Sequence, residues 1–174
     1  MRPRLALIAG MVVAVVLAAL APAAASTHPG CRGGNPMANV YLAFRLKIID
    51  RCAEVSGVVV SSRHERDGDE VISLKGGSAL RGFLNEGNRR FHGGTLVLEI
   101  VPADQPGCKK GEKVRWGTCT GAHIATPRNG AHVRVVGPYV LDRLHRWHEI
   151  HPVWAVCESS SFRERASATS RYVR

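Results

Sequence analysis

Apolar side chains recur at every second residue in several short stretches of this chain, separated by clusters of Gly, Pro and Asp, which is the pattern of half-buried β-strands. From Val40 to Ser62, Leu46, Ile48, Ile49, Val55, Val58, Val59 and Val60 are spaced around Gly57 and predict one long strand bent or bulged at the glycine. The polar segment Arg63 to Asp69 contains Asp67-Gly68, a strong hairpin signal, and leads to a returning strand over Glu70 to Lys75. Residues Gly76 to Gly94 offer only a short helix around Leu80 to Leu84. Thr95 to Val101 reads as a third strand ended by Pro102.

Ala103 to Gly130 is a long polar connection, and loops of that length are commonly functional or cross-linked. His132 to Gly137 predicts a fourth strand and Glu149 to Val156 a fifth, whose Pro152 demands an edge or a bulge. Five strands with little helix give a mainly β fold. The expected form is a small five-stranded OB-like Greek-key barrel with a short helix and a long disulfide-bearing loop. A two-sheet sandwich is the competitor, but it usually asks for about seven strands.

The termini change the picture of where this domain works. Arg2 and Arg4, the apolar run Leu5 to Leu20 and the small residues Ala23 to Ala25 follow the order of a secretory signal, with cleavage expected after Ala25. A membrane-spanning helix wants roughly 20 apolar residues, and no later stretch supplies them. The chain therefore divides into a signal peptide at 1–25, an N-terminal segment at 26–39, the β domain at 40–158 and a flexible basic tail at 159–174. The expected location is extracytoplasmic.

An oxidising compartment favours disulfides, and five cysteines follow the signal: Cys31, Cys52, Cys108, Cys119 and Cys157. Spacing does not determine connectivity. Cys108 with Cys119 is the preferred pair, because it closes a polar segment that has little else to hold it, a closure that contributes about 3 kcal/mol. No tight Cys-x-x-Cys or paired Cys/His spacing points to zinc. The formal charge of +10 falls to +8 when Arg2 and Arg4 are removed, and the tail carries four arginines against Glu164, so the folded part keeps about +5. That balance permits attraction to a polyanion and is also an ordinary route to solubility.

Val135 to Asp142, His145, Trp147 and Glu149 to Trp154, with Asp67-Gly68-Asp69, Glu99 to Cys108 and Cys119 to Ala122, resemble a group of uncharacterised exported bacterial proteins with a presumed OB-like barrel. The resemblance spans about Leu46 to Val156. It implies a fold and a compartment but no activity. Two positions depart from it: Glu70 to Ser73 lacks an expected histidine, and Arg146 replaces a glycine. The Asp-Gly-Asp turn alone also resembles the staphylococcal-nuclease type of OB barrel, in which such an acid holds calcium. No arginine-bearing strand leading to Asp-x-Pro-Glu accompanies it here.

Two constellations carry candidate chemistry. His145, His148, Glu149 and His151 are close enough to offer imidazoles and a carboxylate to a divalent cation, although on a strand Glu149 and His151 share one face and His148 takes the other. The competing role is structural, with Glu149 and a histidine satisfying each other at the barrel mouth. Asp67 and Asp69 form the second set, able to hold Ca²⁺ or Mg²⁺ through oxygen or simply to shape the turn.

Tyr139, Asp142, His145, Trp147, His148, Glu149 and His151 mark the expected contact region, on a fold whose aromatic residues commonly stack bases or sugars. No Gly-x-Ser-x-Gly elbow appears. The composite expectation is an exported OB-like binding module for a polyanion, either nucleic acid or an acidic envelope polymer, with no resident cofactor. The alternative is a metal-dependent, nuclease-like hydrolase using the Asp-Gly-Asp turn and the His/Glu cluster.

Overall fold

The computed structural model describes residues 30–158. The signal peptide and the basic tail lie outside these residues, as does the start of the N-terminal segment. The chain is mainly β. Strands β1 (Leu46–His64), β2 (Glu70–Lys75), β3 (Leu96–Ile100), β6 (His132–Asp142), β7 (His148–Ile150) and β8 (Ala155–Glu158) form one mixed sheet, while β4 (Lys113–Val114) and β5 (Gly117–Thr118) form a small hairpin in the long connection. Pairings run from β1 to β2, β3, β7 and β6 and return from β6 to β1. Among the described residues only β3 and β7 pair in parallel. Strands β7 and β8 occupy successive parts of one edge of β6, while β1 pairs with nearly the whole of the other.

The long first strand forms, but it starts at Leu46 after a 3-10 turn over Ala43–Arg45. Its irregularities fall near Ile48 to Ala53 and Val59 to Ser61. Gly57 sits at a close approach instead, since a Cβ there would stand 2.6 Å from the Lys75 carbonyl oxygen. The fourth strand continues five residues past its expected end, straight through Pro138, because the proline faces the bulge between Asp50 and Ala53, where its missing N–H interrupts no regular ladder.

The expected fifth strand is split. Residues 151–154 leave the ladder at Pro152, and pairing resumes at Ala155. Around Leu80 to Leu84 there is 3-10 helix, over Ser78–Phe83, and a six-residue α-helix, α1 (Glu86–Phe91), follows it. This helix has no apolar period to announce it. Asn85 starts it by accepting from the Asn88 amide while the Asn88 side chain accepts from the Asn85 amide.

Strand alternation gives the sheet two buried faces with different contents. Ile72, Leu74, Leu96, Leu98, Ile100, Ile150, Val133, Val135 and Tyr139 point to one side and form the main core. On the other side Val101, Val140 and Leu46 pack with Val40 and Ala103, under the N-terminal segment and the long connection. Two disulfides secure these covers, Cys31–Cys52 and Cys108–Cys119, and Cys157 is free and exposed. Arg32 adds a further tie by donating to both Asp104 carboxylate oxygens at 2.9 and 2.8 Å. Among the described residues no helix is long and apolar enough to cross a membrane, which together with the disulfides is compatible with an extracytoplasmic protein.

Candidate functional site

The second face carries a row of ionisable side chains that the strand register places side by side. Val71 pairs with Glu99, Val97 with Glu149 and Val140 with Glu149, so Glu99 and Glu149 project from neighbouring strands on the same side. Asp69 precedes β2 at the parity of Val71, and His151 follows β7 at the parity of Glu149. Arg45 approaches from the turn before β1, and Asp142 closes β6.

These groups are deeply buried. Asp142, Glu149 and His151 have no solvent exposure and Asp69 has 1 %. His151 Nδ1 lies 2.9 Å from Glu99 Oε2 and 3.1 Å from Glu149 Oε2, while His151 Nε2 lies 3.6 Å from Asp69 Oδ2. Arg45 forms a very close ion pair with Asp142 and stands 3.8 Å from Glu99. Asp142 also accepts from the Leu144 and His145 amides and pairs with His145 Nδ1 at 2.7 Å, which fixes the turn after β6. Trp147 donates its indole N–H to Glu149 and stacks on His145 with ring centroids 4.6 Å apart.

Burial and neighbouring charge pull these groups in different directions. For Glu99, burial alone would raise the pKa, but the adjacent His151 and Arg45 overcome it and hold the carboxyl at about 2. Burial dominates at Asp69 and pushes it up to about 8 against the pull of His151. Glu149 is raised by burial and by the Glu99 charge beside it. His151 would be lowered by burial, yet Glu99 and Glu149 raise it to about 10.

A cleft of about 610 Å³ opens beside this row. Asp69 and Glu99 reach its lining from the buried side, Arg63, Arg66 and Arg115 contribute cationic side chains, and Glu65 and Asp67 contribute acidic ones, with Glu65 paired to Arg63. Tyr41 stacks on Trp116 at 4.2 Å between centroids, Arg115 lies 4.8 Å from the Trp116 ring, and Trp147 forms another part of the wall.

The expected contact residues divide into two groups. Asp142, His145, Trp147, Glu149 and His151 converge on the charged face. Tyr139 and His148 project to the other side, where the Tyr139 hydroxyl donates to the Phe83 carbonyl at 3.1 Å and lies 2.5 Å from His148 Nδ1. Of the two acids of the turn, Asp69 joins the cluster. Asp67 instead accepts from the Asp69 amide at 3.2 Å, which is turn chemistry. Glu149 and His151 do satisfy each other, on the face opposite the main core rather than at a barrel mouth.

Sequence reasoning missed Arg45, Glu99 and the cleft arginines. Glu99 left a signal, because it is the one charge inside the apolar stretch Thr95 to Val101, where burial demands a partner. Arg45 left none, since it was absorbed into the expected first strand.

The chain matches no protein-family model, and comparison with curated proteins found no match.

Proposed function

We propose that this chain is an exported binding module, that its ring of strand pairings is an OB-like barrel, and that its cleft takes a phosphate-bearing polyanion, a nucleic acid or an acidic envelope polymer. The observation that carries the reading is the company of Arg63, Arg66 and Arg115 with the Tyr41–Trp116 stack and Trp147 along one cleft. Guanidinium groups match phosphate geometry, and aromatic faces stack bases or sugars without reading sequence. The barrel reading is supported by the return of pairing to β1 and by the single parallel pair β3–β7.

The test is a fluorescence titration of the disulfide-bonded protein with a single-stranded oligonucleotide and, separately, with an acidic wall polymer, across a range of salt. If three arginines meet phosphates, log K falls with log salt at a slope of about −2, and Arg63→Ala or Arg115→Ala reduces that slope by about 0.7 each. Absence of binding to both polymers at low salt, by folded protein, removes the reading.

One observation favours a second reading, a metal-dependent phosphodiester hydrolase: the Asp-Gly-Asp turn and the last His/Glu segment meet at Asp69 and His151. Cleavage of a labelled oligonucleotide that needs Mn²⁺ and stops with EDTA supports it. An intact oligonucleotide under metal-replete conditions rejects it.

A further inference from the structure

We infer that Asp69, Glu99 and His151 form a binding site for one divalent first-row cation at the buried end of the cleft. Each offers a ligand atom, and the three atoms lie within 4.8 Å of one another. Donors that share an ion at about 2.1 Å stand about 3.0–3.4 Å apart, so the 3.6 Å between Asp69 Oδ2 and His151 Nε2 is nearly the spacing a shared ion imposes.

Hydrogen bonding leaves the same atoms available. Both Asp69 carboxylate oxygens and His151 Nε2 are buried, and among the described residues they have only each other at 3.6 Å and the neighbouring Glu99 carboxyl, with no well-formed hydrogen bond to these atoms. Such orphaned buried polar groups are rare and ask for a reason. The rest of the set is already oriented: Glu149 and Glu99 hold the Nδ1 side of the imidazole, which directs Nε2 at Asp69, in the way outer partners aim a metal-binding histidine. Trp147 holds Glu149 in turn. Glu149 is thus a positioning residue.

Two carboxylates and one imidazole suit Mn²⁺ or Zn²⁺ better than the all-oxygen cages of Ca²⁺.

The site depends on no occupant of the cleft, and it supplies the ion that the hydrolase reading requires. Binding is therefore measured apart from activity. The full chain with both disulfides formed is stripped with EDTA, desalted and titrated with MnCl₂ by electron paramagnetic resonance, with Zn²⁺ followed by calorimetry. One ion per chain is expected, with ¹⁴N hyperfine coupling from His151 on bound Mn²⁺. Asp69→Asn weakens binding at least tenfold, His151→Gln removes the nitrogen coupling, and Asp67→Asn stays within about twofold of the parent because its carboxylate serves the Asp69 amide.

Stoichiometric binding of neither ion, bound Mn²⁺ without nitrogen coupling, or a folded Asp69→Asn that binds like the parent each overturns the inference. Where His151→Gln does not fold, the parent's nitrogen coupling and Asp69→Asn decide. An ion bound without cleavage leaves the site standing and removes the hydrolase. Polyanion binding by a chain that takes up neither Mn²⁺ nor Zn²⁺ in the titrations removes the site and keeps the binding module.

Discussion

Strands β2, β3 and β7 and the part of β6 from Val135 onward bury both of their faces, and the two buried sides are built on opposite principles. One side is filled by Ile72, Leu74, Leu98, Ile100 and Ile150, whose contacts are apolar and non-directional. The other sets Asp69, Glu99, Asp142, Glu149, His151 and Arg45 into an equally dry setting, where each group depends on a named partner. The apolar side tolerates changes of shape that conserve volume. The charged side tolerates few changes, because removing one member leaves another uncompensated. Stability is thus spread out on one side and concentrated on the other.

The strongest way to break the comparison is Asp142→Ala. It strips Arg45 of its close partner and the turn after β6 of its cap, and should cost about 4 kcal/mol in urea unfolding. Leu98→Ala on the apolar side should cost about 3 kcal/mol, the ordinary result of a buried cavity. If the leucine variant proves much the worse, stability is not concentrated on the charged side.

Within the charged side, two glutamates sharpen the contrast. Glu99 is held ionised, so Glu99→Gln loses charge-assisted bonds to His151 and should cost about 2 kcal/mol. Glu149 is raised toward its neutral form, so Glu149→Gln loses less charge-assisted bonding, but its amide sets an NH₂ group against the Trp147 or His151 donor and should cost about 1 kcal/mol. Equal costs in paired denaturation curves would show that the two acids do not differ in protonation.

The smallest effect concerns His148, which lies away from the cluster. Burial lowers its pKa from 6.5 despite a contact with the Phe83 carbonyl. A histidine depressed in the folded state binds fewer protons there than when unfolded, so its contribution is complete above pH 6.5 and fades as pH falls through the lowered value. From about pH 7.5 to 5 the raised Asp69 and Glu149 carboxyls gain stability as pH falls while His148 opposes them, so His148→Gln should make the unfolding free energy rise more steeply toward pH 5 than in the parent. A variant with the parent's slope would show that His148 makes no such contribution.

The apolar side was legible in the sequence because period-two patterning reports which residues are inward, and β2 and β3 fell within a residue of expectation at each end. The charged side was legible only in pieces. Parity placed Glu149 and His151 together and turned His148 away, but patterning says nothing of which strand lies beside which, so Glu99 could not be matched to His151 across the β3–β7 pair. In β3 every residue is buried, and alternation loses its meaning when both sides are covered. The extension of β6 through Pro138 was hidden for a similar reason, since the bulge that accommodates it belongs to β1.

The Cys31–Cys52 crosslink fastens the leading segment to the bulged part of β1, and the same segment runs on to Tyr41 and Arg45. The guanidinium that offsets Asp142 and Glu99 therefore hangs from a strap clamped at its far end by two sulfurs. Reducing that bridge would free the strap's far end while touching no residue of the apolar side, so the charged side should be the more sensitive of the two to thiol reagents.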